Sequence, residues 1–359
     1  MENYDQYKRV INQIRKLDTL SLVDIASSKL RFIESTHLNN WNGFLPWYLL
    51  MLIKLSFEYG GENFPPRQAD EKMLIKLINL LHNFEERAHV SILEGENDFG
   101  VIRFLRRISF QQFWLQQSLN YWTILRQKEI FCKLSKDDEI RIHIEKELNG
   151  LALDTFLELS FIVWAWLSKY PNKYTFDSEL LFSNMIYSKQ EISSFCSSLS
   201  LEQPEVKKHL TERKQKIENA FFQLLEVTPF TKHPFLKIEN KYLVYSKKVL
   251  AETISNCFYD KVKTEGGNKL AQKFGFLFEG YIDKCISTIN YNFYKEKDLQ
   301  KEFPNKKVTD FLIPFEDMSL MIEAKAVEMR PIAKVNPVED VLQNELKDSI
   351  IKGVIQGFS

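Results

Sequence analysis

KKVTDFLIPFEDMSLMIEAKAV, residues 306–327, decides how the chain is read. Two runs, 308–315 and 319–324, are rich in branched and aromatic side chains, the composition of buried strands, and Glu316 and Asp317 supply a polar turn between them. The stretch therefore predicts a hairpin. With the turn centred on Glu316 and Asp317, antiparallel pairing sets Asp310 directly across from Glu323, their Cβ atoms about 5 Å apart. Lys325 follows two residues on, on the same face as Glu323. Like charges directly opposite destabilise a sheet, so two carboxylates seated together call for positive charge between them, and a divalent cation supplies it.

The 359 residues suffice for two domains, and 44% hydrophobic with 13% aromatic residues suffice for a sizeable core. Lys and Arg number 48, as do Asp and Glu, so no global basic field points to nucleic acid, although a neutral total is compatible with a local positive groove. Cys132, Cys196, Cys257 and Cys285 lie far apart with no CxxC pair. That argues against a zinc site, gives no disulfide framework and fits a reducing, cytoplasmic setting. The N-terminus, MENYDQYKRV, is charged from the start and lacks an apolar signal segment. The most apolar windows are 41–57, interrupted by Asn42, Pro46 and Lys54, and 156–167, too short to span a bilayer; no membrane partner is expected.

Residues 1 to about 225 read as helical: long stretches lack Gly and Pro, and apolar residues recur at three and four spacing, as in Val10, Ile14, Leu17 and Leu74, Ile78, Leu81. Breaks fall at 60–70, 94–100, 169–174 and 200–204, and Pro204 opens a charged helix expected to run to about Val227. The character then changes. Residues 228–246 carry two prolines and two short strand-like runs around Glu239 and Asn240, a second expected hairpin. Helices follow from Lys247 to about Lys263 and from Lys269 to about Ile289, then a lysine-rich connection and the opening hairpin. A domain boundary is therefore expected near residue 225.

The order of a helix with Glu279, a strand with Asp310 and a strand with Glu323-Ala324-Lys325 resembles the PD-(D/E)XK nuclease superfamily, with its restriction-endonuclease-like fold. The motifs are GFLFEGY (275–281), VTD (308–310) and IEAK (322–325), and the resemblance covers residues 250–359. It implies an α + α/β protein, with a large N-terminal all-helical region (1–225) for regulation or interaction and a nuclease core with a small mixed sheet (226–359). It also implies that Asp310 and Glu323, the carbonyl of Ala324 and the helix residue Glu279 hold Mg²⁺, with Mn²⁺ as a substitute, while Lys325 serves the attacking water. The chemistry is consistent with those residue types: a hard cation takes oxygen ligands and keeps several waters, and it polarises a phosphate while a nearby lysine holds a hydroxide. The family core continues with further strands and a helix; this sequence stops at Gly357-Phe358-Ser359, so either the domain is abbreviated or the sequence is a fragment.

The expected function is metal-dependent hydrolysis of phosphodiester bonds, DNA favoured, by analogy a restriction or phage-defence effector with a protein partner for the helical region. The alternative is a non-catalytic interaction scaffold on a degenerate or truncated nuclease-like fold. Lys352 and Gln356, four apart, are candidates for nucleic-acid contact or for an ordinary exposed helix face. Residues 101–131 interleave Arg103, Arg106 and Arg107 with Phe110, Phe113, Trp114, Tyr121 and Trp122, which suits a stacking platform. The helical spacing of Phe110, Trp114 and Tyr121 favours core instead, and with Trp164 these rings are expected to be buried. The six histidines show no ligand spacing. GFLFEGY has Tyr281-Ile282 where a P-loop needs Lys and Ser or Thr, which excludes that motif.

Overall fold

In the computed structural model the described residues are 2–36, 43–93, 105, 108–109, 111–115, 119–134, 139–214, 228–289, 291–324, 326, 344 and 347. In chain order the helices are α1 (Glu2–Ile14), α2 (Thr19–Glu34), α3 (Pro46–Tyr59), α4 (Glu71–Leu93), α5 (Tyr121–Gln127), α6 (Glu139–Glu147), α7 (Leu153–Lys169), α8 (Ser178–Leu181), α9 (Lys189–Leu199), α10 (Gln203–Lys214), α11 (Lys247–Asp260), α12 (Gly267–Ser287) and α13 (Glu296–Glu302). The strands are β1 (Thr175–Asp177), β2 (Ser200–Glu202), β3 (Phe235–Ile238), β4 (Lys241–Val244), β5 (Tyr294–Lys295), β6 (Phe311–Pro314) and β7 (Ser319–Ile322). The described chain is thus mostly helical with two small sheets. It divides into two compact units, each discontinuous: Met1–Asn120 with Thr155–Ser255, and Tyr121–Asp154 with Asn256–Ser359.

In the first unit, α3 (PWYLLMLIKLSFEY) is mostly apolar and is buried from Tyr48 through Glu58, with Lys54, Ser56 and Glu58 buried among the apolar side chains. Its Tyr48 hydroxyl donates to the buried Glu85 carboxylate on α4 and sits 3.2 Å from His82 Nδ1. The sheet of this unit is mixed, in the order β1-β4-β3-β2, with β2 parallel to β3 and the other pairs antiparallel. Phe235 on β3 is fully buried, with Phe176 of β1 at 5.4 Å and Phe195 of α9 at 6.3 Å between ring centroids. At the start of α11, the Glu34 carboxylate from α2 accepts from the Ser246 hydroxyl and from the backbone N–H groups of Lys247 (3.1 Å) and Lys248 (3.4 Å), satisfying donors that an N-terminus leaves open.

The sequence expectation of an all-helical region over 1–225 is corrected by β1 and β2, which lie inside it and pair with the hairpin of β3 and β4. Three-residue strands make no local pattern; they exist because the edges of that hairpin offer open ladder positions. The same pairing draws β3 and β4 into the first unit, so the compact units do not divide at residue 225. The small mixed sheet belongs to the first unit. The described sheet of the second is antiparallel throughout, in the order β5-β6-β7.

In the second unit, Phe131, in the π-helical turn Lys128–Leu134, stacks on Phe274 of α12 at 5.6 Å and meets Phe258 edge-on at 5.5 Å. The same helix α12 covers one face of the sheet: Ile286, Phe311 and Ile313 form a buried cluster, with Ile282, Phe293, Ile322 and Ala324 packed against it. The aromatic burial expected from helical spacing is only partly met. Tyr121 is 63% and Trp122 74% exposed, Trp114 and Trp164 are half-buried, and Phe110 with Arg103, Arg106 and Arg107 lies outside the described residues. Spacing sets which rings share a helix face, but only packing decides whether that face is covered, and in α5 Gln127 is the buried residue.

Candidate functional site

The hairpin read from the sequence is present, shorter than its apolar runs. Strand β6 pairs with β7 in the register Phe311↔Ile322, Leu312↔Met321, Ile313↔Leu320, Pro314↔Ser319, and the Phe315 N–H donates to the Met318 carbonyl across the turn at Glu316 and Asp317. One step beyond the first pair, the register sets Asp310 opposite Glu323. The ladder ends there through side chains. Thr309 Oγ1 donates to the Ile322 carbonyl (2.7 Å), and the Ala324 N–H donates to Asp310 Oδ2 (2.6 Å). On the far side of β6, the Glu296 N–H donates to the Asp310 carbonyl (2.8 Å), bringing the first residue of α13 to the same end of the sheet.

Because Ile322 and Ala324 pack against the cluster under α12, the alternation of a strand turns Met321 and Glu323 to the opposite face. Glu279 stands on α12 one turn before Ile282. Burial first, then the charges of Asp310, Glu296, Asp283 and Glu323, raise its carboxyl above the ordinary glutamate range. Glu279 is half-buried, as its helical position suggested; Phe276, expected on the same covered face, is 75% exposed. Asp283 is held by Lys295 Nζ at 2.7 Å, and Glu296 accepts from Gln300 at 2.8 Å.

Asp310, Glu323, Ala324 and Glu279 are therefore brought to one end of the sheet, whereas Lys325, Lys352 and Gln356 lie outside the described residues. Asp283 and Glu296 escaped the sequence reading. Asp283 carried a signal, being four residues from Glu279, a like-charged spacing that destabilises a bare helix. Glu296 carried none, since it sits in a connection that reads as loop until β5 is seen to pair with β6.

Among the described residues, no three Asp, Glu, His or Cys side chains form a group able to hold a metal ion. The donor chemistry still suits a hard divalent cation that keeps most of its waters: an opposed carboxylate pair, a neighbouring carbonyl and a surplus of negative charge felt by Glu279. Such a cation is bound through one or two carboxylates together with substrate phosphates and does not need an all-protein cage. Comparison of the chain with family models, with curated proteins and with solved structures gives no match.

Proposed function

We propose that the chain is a Mg²⁺-dependent nuclease that hydrolyses phosphodiester bonds, in DNA by preference, with its site at the β6–β7 sheet end of a restriction-endonuclease-like core, in the setting of a restriction or phage-defence effector. One observation carries the reading: two strands deliver Asp310 and Glu323 to the same position across a ladder, where their charges reach Glu279 on the packed helix. In this reading the carboxylates of Asp310 and Glu323 and the Ala324 carbonyl hold the cation, Mn²⁺ serving in place of Mg²⁺, with Glu279 on the helix side. When bound, the cation polarises the scissile phosphate. Lys325, by its resemblance to the lysine of the IEAK motif, holds the attacking water and steadies the charge that develops on it.

A second reading is favoured by a specific bond. Asp310 already has a structural task, accepting the Ala324 N–H, so a non-catalytic scaffold would keep this aspartate without any metal. Asp310→Asn separates the two, because the amide oxygen still accepts that N–H while the negative charge is gone. As a nuclease, Asp310→Asn loses Mg²⁺ affinity in calorimetry and regains part of its cleavage rate in excess Mg²⁺. Lys325→Ala keeps its Mg²⁺ affinity and loses roughly a hundredfold or more in turnover. Wild-type protein that binds neither Mg²⁺ nor Mn²⁺ and leaves plasmid and single-stranded DNA intact leaves the scaffold reading standing.

A further inference from the structure

On the face of the sheet turned away from α12, the register aligns Tyr294, Leu312 and Met321 in one row across β5, β6 and β7. These are apolar side chains in the open: Tyr294 is 48% and Met321 59% exposed, with Leu312 half-buried between them. Glu323 lies on the same face, two residues along the strand from Met321, a separation of roughly 6–7 Å.

Beside the carboxylates that border this row, the sequence sets exposed lysines. At the carboxylate end, Lys306 and Lys307 lead into Asp310, and Lys297 follows Glu296 on α13; all three are exposed and form no ion pair among the described residues. Lys295 differs, being committed to Asp283. A partner complementary to both features carries negative charge on one side and flat apolar surface on the other. Paired duplex presents phosphates to the lysines but keeps its base faces stacked inside. An unpaired strand presents both, and stacking on aromatic side chains is how single strands are held without regard to sequence.

We infer that the Tyr294–Leu312–Met321 row is a stacking platform for unpaired nucleobases, and that Lys297, Lys306 and Lys307 hold the adjoining phosphates, so that the substrate of this site is single-stranded or frayed nucleic acid. The inference rests on the nuclease reading for the identity of the polymer. Its test is kept apart from catalysis by measuring binding in EDTA, with a short labelled single strand of mixed sequence and with its duplex. The single strand binds the wild-type chain more tightly than the duplex. Tyr294→Ala weakens single-strand binding by about tenfold and duplex binding much less, while Tyr294→Phe, which keeps the ring, retains it. Replacing the three lysines by alanine lowers the slope of log affinity against log salt by about 2 on the single strand.

Duplex bound as tightly as the single strand, an unchanged affinity in Tyr294→Ala, or no binding of either oligonucleotide overturns the inference. So does a concentration-dependent dimer, seen by sedimentation, that Met321→Glu dissociates, since the row is then a contact between copies. Circular dichroism on each variant checks that the fold is intact, and the exposure of Tyr294 and Met321 makes retention of the fold the expected result. Tyr294-dependent binding of single strands with no Mg²⁺-dependent cleavage of either substrate sinks the nuclease reading and leaves the platform standing.

Discussion

Replacing Glu279 by glutamine should stabilise the second unit in the absence of metal, although it removes a charged residue from a helix. Burial and four neighbouring carboxylates raise the Glu279 carboxyl above its ordinary range, so its charged form is disfavoured in the folded chain. Below the ordinary glutamate range it is neutral in both folded and unfolded states and exerts no penalty; the penalty builds as pH rises from the ordinary glutamate range through the raised value. Two unit charges about 8 Å apart repel by roughly 0.5 kcal/mol at the dielectric of water and roughly 2 kcal/mol at the value suited to a protein surface. Glu279 is half-exposed, and Asp283 is already paired with Lys295, so screening leaves a net gain on the order of 1 kcal/mol. For a unit of this size that is about 4 °C in melting temperature. Mg²⁺ should reverse the order. At a concentration tenfold above its dissociation constant, a cation held by the wild-type cluster stabilises it by about 1.4 kcal/mol, and the glutamine variant gains less because one source of attraction is gone. Thermal unfolding in EDTA and in a Mg²⁺ series, at neutral pH and near pH 4, reads all of this. A variant less stable than wild type in EDTA, or one whose Mg²⁺ response equals that of wild type, refutes the electrostatic account of the site.

Two further outcomes concern the first unit. Glu34→Ala leaves the Ser246 hydroxyl and the Lys247 N–H without the Glu34 acceptor, while the Lys248 N–H keeps Ser246 Oγ at 3.1 Å, and should cost about 1–3 kcal/mol in denaturant unfolding. Burial raises the Glu34 carboxyl, so Glu34→Gln, which keeps an acceptor oxygen, recovers much of that loss and removes the fall in stability that wild type shows as pH rises through the raised value. Phe235→Ala empties a fully buried position between Phe176 and Phe195 and should cost about 3–5 kcal/mol by the same measurement, with no effect on Mg²⁺ binding.

The parts of the fold visible in the sequence are those whose cause is local. Glu316-Asp317 between two apolar runs specifies a two-residue turn, and a turn of fixed length specifies a register, so the meeting of Asp310 and Glu323 follows from residues within a few positions of each other. The hairpin of β3 and β4 is legible in the same way, with Glu239 in the left-handed region at its turn (φ 54°). What stayed hidden has a distant cause. Strands β1, β2 and β5 contain two or three residues each and are strands only because an edge elsewhere in the chain accepts them. The discontinuity of the units is hidden likewise, since nothing near Phe131 announces that its ring will stack on Phe274. Exposed Tyr121, Trp122 and Phe276 mark the limit of periodicity: it groups residues on a face and is silent on what covers that face.

The end of the β6–β7 ladder shows why a hairpin that folds for ordinary reasons can also hold a site. A backbone ladder would carry its last bonds on N–H and C=O groups; here Thr309 Oγ1 and Asp310 Oδ2 take over on one side while the Glu296 N–H fixes the Asp310 carbonyl on the other. Asp310 is thereby restrained from both directions, by its backbone toward β5 and by its carboxylate toward β7. A carboxylate held by one such bond, on a residue whose backbone carbonyl is held by another, loses little further freedom on meeting a cation or a phosphate-bound water, which is the condition under which a charged group contributes most. The same restraint holds it near Glu279, whose carboxyl is raised by burial and by the charges of Asp310, Glu296, Asp283 and Glu323. A site whose neighbouring carboxylates raise the Glu279 carboxyl favours a cation that offsets their charge, and the Glu279→Gln comparison with and without Mg²⁺ measures that preference directly.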